Sequence, residues 1–379
     1  MRVEGDWLAA PPTQAVMEML EAGGHRALAV GGCVRNALLG EPVTDIDIAT
    51  DARPDRVTEL AVAAGLKAVP TGIDHGTITV VADGIPHEVT TFRRDVETDG
   101  RHAIVAFSDD PATDAARRDF TMNALYADAR GTVLDPLGGL SDLCARHVRF
   151  IGDPDARIAE DHLRILRFFR FTARYGDPDL GIDAEGLAAC ATTQEGLDAL
   201  SSERITQEVT KLLDAPDPVA AVAAMARTGI LGRLLPGADA APLGPLVHAA
   251  PWADRLARLA AMGGDTGRLR LPKAEAKVLA ALTAAARDGD PPFAIGDELG
   301  SRGVDAIAVR AALLGQAPDL ADLALARAGA AATFPLRAAD LMPTLSGPEL
   351  GAGLARARAT WRAARGEIDR AALIAVATG

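Results

Sequence analysis

A strand–glycine–helix–strand cassette near the N-terminus constrains the fold more than any other feature of the chain. Ala27-Leu28-Ala29-Val30 is a short apolar run that stops at Gly31-Gly32, and the segment from Val34 to Leu39 can open a helix. Beyond it, Thr44-Asp45-Ile46-Asp47-Ile48-Ala49-Thr50 alternates carboxylates with β-branched residues. A period of two predicts a strand with Asp45 and Asp47 on the same face, close enough to share a divalent ion. Gly-Gly after a strand permits close backbone approach to a phosphate, and a helix N-terminus beyond it favours anions. A phosphate cradle, an arginine (Arg35) and two carboxylates together read as a nucleotide site.

Either motif alone says little, because a lone Gly-Gly is mostly a turn and Asp-x-Asp is common on exposed strand edges. The ordered run Gly-Gly-Cys-Val-Arg-Asn-Ala-Leu-Leu-Gly followed by Asp-Ile-Asp-Ile-Ala-Thr is more specific. It resembles the nucleotidyltransferase superfamily, in the bacterial-type branch that holds CCA-adding enzymes and poly(A) polymerases. That resemblance implies an α+β fold: an N-terminal, polymerase β-like head with a mixed sheet, then an all-helical neck and body or tail. The expected divisions are a catalytic head over 1–150, a neck carrying a nucleotide-selecting helix over 151–215, and a helical, tRNA-binding body over 216–379.

The residues themselves support such a division. Ile78–Val81 and His87–Phe92 read as neighbouring strands joined across Asp83-Gly84, a hairpin turn pair. Residues 94–116, rich in Asp, Arg, Gly and His, read mostly as a mobile loop. Past about 152 the strand signal fades. Asp155 to Tyr175 reads as one helix that stops before Gly176-Asp177-Pro178, and the remainder is Ala- and Leu-rich with Pro/Gly breaks. Hydrophobic residues make up 49% of the chain but aromatics only 4%, so the core is expected to be largely Ala, Leu and Val.

A net charge of −13 argues against a general nucleic-acid coat. It leaves room for a local basic patch, and arginines cluster at 149, 157, 164, 167, 170 and 174. Cys33, Cys144 and Cys190 are too dispersed for a disulfide framework or a zinc knuckle. With no signal-peptide core and no long apolar run, the expectation is a soluble, cytoplasmic protein with no membrane association and no obligate protein partner.

Transfer to a hydroxyl from a triphosphate calls for paired carboxylates and a metal ion. Asp45 and Asp47 fill that role as metal ligands, and Glu88 is the candidate third carboxylate from an adjacent strand. Arg117-Arg118-Asp119-Phe120-Thr121-Met122-Asn123 packs charge and an amide into one short element. By the resemblance it contacts the sugar and phosphates, Arg118 first. In Glu160-Asp161-His162-Leu163-Arg164-Ile165-Leu166-Arg167, Asp161 and Arg164 stand at i, i+3 and would share a helix face. An aspartate offers acceptors and an arginine donors, so the pair can address a base edge. By the resemblance this is the amino-acid template that selects C and then A, with Arg167 and Arg170 reaching the triphosphate or steadying the helix. Asp135-Pro136-Leu137-Gly138-Gly139 resembles the hinge between head and neck, and Ser202-Glu203-Arg204-Ile205 with Glu208 resembles the buttress of the template helix. One departure stands out: where the family usually has Asp after Val-Arg, this chain has Asn36.

The resemblance implies Mg²⁺-assisted addition of CCA to the tRNA 3′ end from CTP and ATP, with Gly31, Gly32 and Arg35 on the phosphates. His75-Gly76-Thr77 and the long 94–116 segment favour full CCA addition over poly(A) synthesis or CC-only addition. A reading of another class, a non-catalytic RNA-binding module, is opposed by the intact carboxylates.

Overall fold

The computed structural model describes residues 1–99, 102–342 and 344–379; for 74, 95–99 and 102–104 only the backbone is described. The chain divides into two compact units, Met1–Arg204 and Ile205–Gly379.

The first unit is built on a seven-stranded sheet. Its strands are β1 (Leu28–Val30), β2 (Asp47–Thr50), β3 (Lys67–Gly72), β4 (Thr77–Ala82), β5 (Ile85–Thr91), β8 (Tyr126–Ala127) and β9 (Val133–Leu134). They lie in the order β3-β4-β5-β2-β1-β8-β9, and β2 and β5 run parallel while every other pair is antiparallel. The sheet is therefore mixed, as expected. The β4–β5 hairpin turns at Asp83 and Gly84, both at positive φ, the geometry that Asp-Gly supplies at low cost.

Residues 94–116 are not mainly loop. β6 (Arg93–Asp99) and β7 (His102–Phe107) form a separate antiparallel ribbon. The helix Pro111–Ala116 follows, its first turn capped by Asp110. Charge in the first strand hid the pattern. The partner strand, Ala103-Ile104-Val105-Ala106-Phe107, carried the β-branched signal.

The single helix expected over 155–175 is two helices, Pro154–Glu160 and Leu163–Tyr175. Asp161 breaks the run at φ −158°, and its Oδ1 accepts from the Leu163 amide at 3.0 Å. A short polar side chain that captures a backbone N–H favours a cap over a helix interior. The few aromatic residues are concentrated here. Phe120, Phe150, Phe168 and Phe171 pack ring against ring with centroids 5.0–6.3 Å apart, and Phe169 joins through Phe168. Each buried ring is worth about 1.5–3 kcal/mol of transfer free energy, so this part of the core does not rest on Ala, Leu and Val alone.

The second unit is helical throughout its described residues. Its last helices close over a small core of Phe293, Leu336, Leu341, Ala357, Trp361, Leu373 and Ala377. Among the described residues no helix is long and apolar enough to cross a membrane.

Candidate active site

The Gly31 turn and the carboxylate strand are adjacent because β1 and β2 pair, Leu28 opposite Ala49 and Ala29 opposite Ile48. β1 ends at Val30, and the Gly31 amide extends the β1–β8 register by donating to the Leu125 carbonyl at 3.1 Å. β2 begins at Asp47, and Asp45 lies in the exposed approach rather than in the strand. This departs from the four-residue Asp-Ile-Asp-Ile strand expected from alternation. On its other side Asp47 stands in register with Glu88 of β5, whose amide donates to the Ile46 carbonyl.

Asp45, Asp47 and Glu88 line one cleft of about 370 Å³ with Thr44, Ile46, Thr79, Ile85 and Pro86. Burial, then the negative charges of Glu88 and Asp45, raise the Asp47 carboxyl to about 6 against a partial offset from Arg118. The Thr44 hydroxyl donates to Asp45 at 3.2 Å. Among the described residues no set of three or more His, Cys, Asp or Glu side chains is already drawn into metal-ligand geometry. The cleft still suits a hard divalent cation, since its donors are carboxylate oxygens and their mutual repulsion would be relieved by one.

Gly31 has φ +72° and ψ −119°, a conformation that L side chains rarely adopt, and a Cβ there would lie 3.3 Å from Nη1 of Arg118. The bare backbone thus leaves room for that guanidinium. Gly31→Ala is expected to destabilise the fold by about 1–3 kcal/mol through backbone strain, read as a lowered urea midpoint.

Arg118 is held from behind. Its Nη2 donates to Asp114 at 2.9 Å and its Nε to the Tyr126 hydroxyl at 3.3 Å. Asp114, 1% exposed, also takes Arg117 at 2.8 Å and the Tyr126 hydroxyl at 2.8 Å. Burial alone would raise the Asp114 carboxyl, but Arg118 and Arg117 outweigh it and hold it at about 2. Burial would likewise lower the Arg118 pKa, and the Asp114 charge reverses that.

Arg35 is buried beside the ring of Tyr175, 4.1 Å from its centroid, and donates to Asn123 Oδ1 at 2.5 Å and to the Tyr175 hydroxyl at 2.8 Å. Its Nε and Nη2 both reach Asn36 Oδ1, while Asn36 Nδ2 donates to the Pro42 carbonyl at 2.9 Å. The amide at 36 therefore does what a carboxylate could not: it accepts from Arg35 and donates to the loop leading to Asp45. Asp119 is buried, accepting from Asn123 Nδ2 at 2.9 Å and from Arg167 Nε at 2.7 Å. Burial would raise its carboxyl, but Arg167 and the hydrogen bonds hold it at about 2.

Asp161 and Arg164 are not paired as a single helix face would place them. The Asp161 carboxylate receives Arg204 at 2.6 Å, tying it to the start of the helix Ser202–Leu213. Arg164 donates to Glu160, to the Arg157 carbonyl at 2.8 Å and to the Arg117 carbonyl at 3.1 Å. Arg167 lies over Phe171 at 5.3 Å and Arg170 over the same ring at 4.6 Å. Asp135 caps the helix Gly139–Cys144 through the Gly139 and Leu140 amides, and a Cβ on Gly139 would come within 2.2 Å of the Thr121 carbonyl. The hinge-like segment therefore packs directly on the Arg117–Asn123 element. His75 and Gly76 lie apart from the carboxylate cleft: the His75 carbonyl accepts from Arg93, and Gly76 faces Phe107.

Residues 27–149 match the family model of the poly A polymerase head domain, and residues 179–241 that of the probable RNA and SrmB-binding site of polymerase A. The CCA-adding enzyme of Geobacillus thermodenitrificans is 41% identical over 232 residues, 60% of this chain and 55% of that enzyme. The matched stretches are similar to the CCA-adding enzymes and poly(A) polymerases. Human mitochondrial CCA tRNA nucleotidyltransferase 1 is 42% identical over 201 residues, 53% of this chain and 46% of that protein. The chain thus spans about half the length of the curated relatives it matches. Among solved structures, the Bacillus stearothermophilus CCA-adding enzyme in complex with CTP aligns over 96% of both chains at 29% identity with a TM-score of 0.76. The Thermotoga maritima CCA-adding enzyme complexed with tRNA_CCA, 19% identical with a TM-score of 0.69, shares the fold.

Sequence reasoning missed Asp114, Tyr126 and Tyr175. The chain has only two tyrosines, and both hydroxyls hold a site arginine. That rarity was the available signal.

Proposed function

We propose that this protein adds CCA to the 3′ end of tRNA from CTP and ATP, releasing pyrophosphate. The observation that carries the reading is the juxtaposition of the Asp45/Asp47/Glu88 cleft with the Gly31 turn and Arg118. Negative donors for a cation and positive donors for a triphosphate then lie side by side. The names of the relatives support CCA as the product.

Asp45 and Asp47 would hold a divalent cation, with Glu88 as a third carboxylate beside them. Two carboxylates completed by phosphate oxygens and water are the ligand set that Mg²⁺ takes. When bound, such an ion supplies Lewis-acid charge neutralisation at the triphosphate and lowers the pKa of the attacking hydroxyl. Gly31 and Gly32 present bare backbone to the phosphates, and Arg118, steadied by Asp114, directs its Nη1 edge there. Arg35 acts from behind, fixing the Gly32–Leu39 helix. Asp161 and Arg164 read the base, held in place by Arg204 and Glu160. Arg167 and Arg170 steady the same helix along the Phe171 ring. In this reading 1–150 form the catalytic head, 151–215 the neck and 216–379 the tRNA-binding body, and the β6–β7 ribbon supports full CCA addition over CC-only addition.

Arg164→Ala is expected to lower discrimination between CTP and UTP by about tenfold, the worth of one charged hydrogen bond, while slowing CTP addition less. Unchanged discrimination would remove Arg164 from base reading. The function itself is tested by pyrophosphate release. Purified protein with Mg²⁺ and a tRNA transcript lacking its terminus should release pyrophosphate with CTP, and stop releasing it when EDTA is added. No release with any nucleotide would leave the RNA-binding module as the better reading.

A further inference from the structure

We infer that Asn123 is a positioning residue that sets the distance between the phosphate-binding turn and the base-selecting helix, and so contributes to nucleotide choice. The inference rests on the functional reading above. It starts from a chain of buried and half-buried hydrogen bonds that closes on itself. Arg35, in the helix opening at Gly32, donates to Asn123 Oδ1 at 2.5 Å. Asn123 Nδ2 donates to Asp119 Oδ1 at 2.9 Å. Asp119 Oδ2 accepts from Arg167 at 2.7 Å, and Arg167 stands on the helix Leu163–Tyr175. That helix ends in Tyr175, whose hydroxyl takes Arg35 at 2.8 Å. Two points on one helix, two turns apart, are thereby fixed to one arginine of the other.

Asn123 is the neutral amide that joins the Arg35 guanidinium to the Asp119 carboxylate. Its amide is polarised in a single sense, oxygen toward a guanidinium and nitrogen toward a carboxylate; reversing it would set acceptor against acceptor and donor against donor. The residue is buried, so neither end can be satisfied by bulk water. Its backbone is engaged as well: a Cβ on Gly31 would lie 3.7 Å from the Asn123 carbonyl oxygen. One residue thus backs the phosphate turn with its main chain and reaches the selecting helix with its side chain through Asp119 and Arg167. A base read from that helix while the phosphates rest on that turn is measured against a span that Asn123 holds. Asn123 itself touches neither base nor phosphate in this account.

The test is made on Asn123→Ser and on Tyr175→Phe, which removes a hydroxyl and keeps the ring. The readout is the ratio of kcat/KM for CTP over UTP on a transcript ending before the first C, and for ATP over GTP on one ending after CC. Asn123→Ser is expected to lower both ratios by about tenfold, and Tyr175→Phe by about threefold, in the range that one lost buried hydrogen bond produces. The double variant Asn123→Ser/Arg164→Ala should discriminate no worse than Arg164→Ala alone, because both act through the same helix. Equal slowing of all four nucleotides, unchanged ratios, or fully multiplicative effects in the double variant would overturn the inference. If Asn123→Ser does not fold, the Tyr175→Phe ratios decide by the same criterion. An active wild type with unaltered variants fails the positioning role alone; a wild type that adds no nucleotide fails the functional reading and this inference together.

Discussion

Asp47→Ala is expected to lose the proposed nucleotidyl transfer by about a thousandfold or more while the protein remains folded. In the proposed function, several kcal/mol of charge stabilisation at the reacting phosphate would come from a cation held by the cleft carboxylates, and each 1.36 kcal/mol is tenfold in rate. Asp47 begins β2, faces the cleft beside Asp45 and stands in register with Glu88. The fold does not need its charge. Burial and two neighbouring carboxylates lift its carboxyl to about 6 from 3.8. A carboxyl raised in the folded state favours folding while protonated, and that contribution disappears as pH rises through about 6. At pH 7.5 in EDTA the ionised group therefore costs stability, and Asp47→Asn should gain about 1–2 kcal/mol after allowance for the cleft's access to water. Below pH 6 protons compete with the cation, so the Mg²⁺ needed for half-maximal rate should rise. A catalytically unimpaired Asp47→Ala would remove the residue from the site.

Asp114→Ala destabilises the first unit by about 3–5 kcal/mol, the cost of leaving buried charges without their partner. One carboxylate, 1% exposed, accepts from Arg117, Arg118 and the Tyr126 hydroxyl. Removing it strands two guanidinium groups and a hydroxyl at the edge of the core cluster of Leu28, Val30, Phe92 and Tyr126. Urea denaturation followed by circular dichroism measures the loss; a change under about 1 kcal/mol would show that the cluster does not hold Arg118. The same carboxylate predicts acid sensitivity. Its pKa is depressed to about 2, as is that of Asp119, so the stability both contribute is complete above about 4 and is lost as pH falls toward 2.

Much of the site could be read from the chain because its chemistry is local. Gly31-Gly32, Asp45 and Asp47, and Glu88 of the β4–β5 hairpin sit within short runs whose strand and turn signals agree. The mixed sheet followed by helices was legible for the same reason. Three readings failed where a side chain or a distant strand overrode local pattern. Asp45 fell outside β2, whose register with β5 opens only at Asp47 opposite Glu88. The helix over 155–175 broke because Asp161 spends its carboxylate on the Leu163 amide and Arg204. The 94–116 segment formed a ribbon whose first strand is too charged to signal itself. What no local pattern reveals is the set of long-range bonds, such as Arg35 to Tyr175 across 140 positions, that turns separate motifs into one site.

The most direct measurement follows product length. tRNA transcripts ending before the first C, after CC, or complete are incubated with purified protein, Mg²⁺ and labelled CTP, ATP or both, and resolved on a sequencing gel. The account predicts growth by C, C and then A from the first transcript, by A alone from the second, and none from the third. A long ladder of A, addition of one nucleotide type only, or no incorporation on any transcript would contradict it.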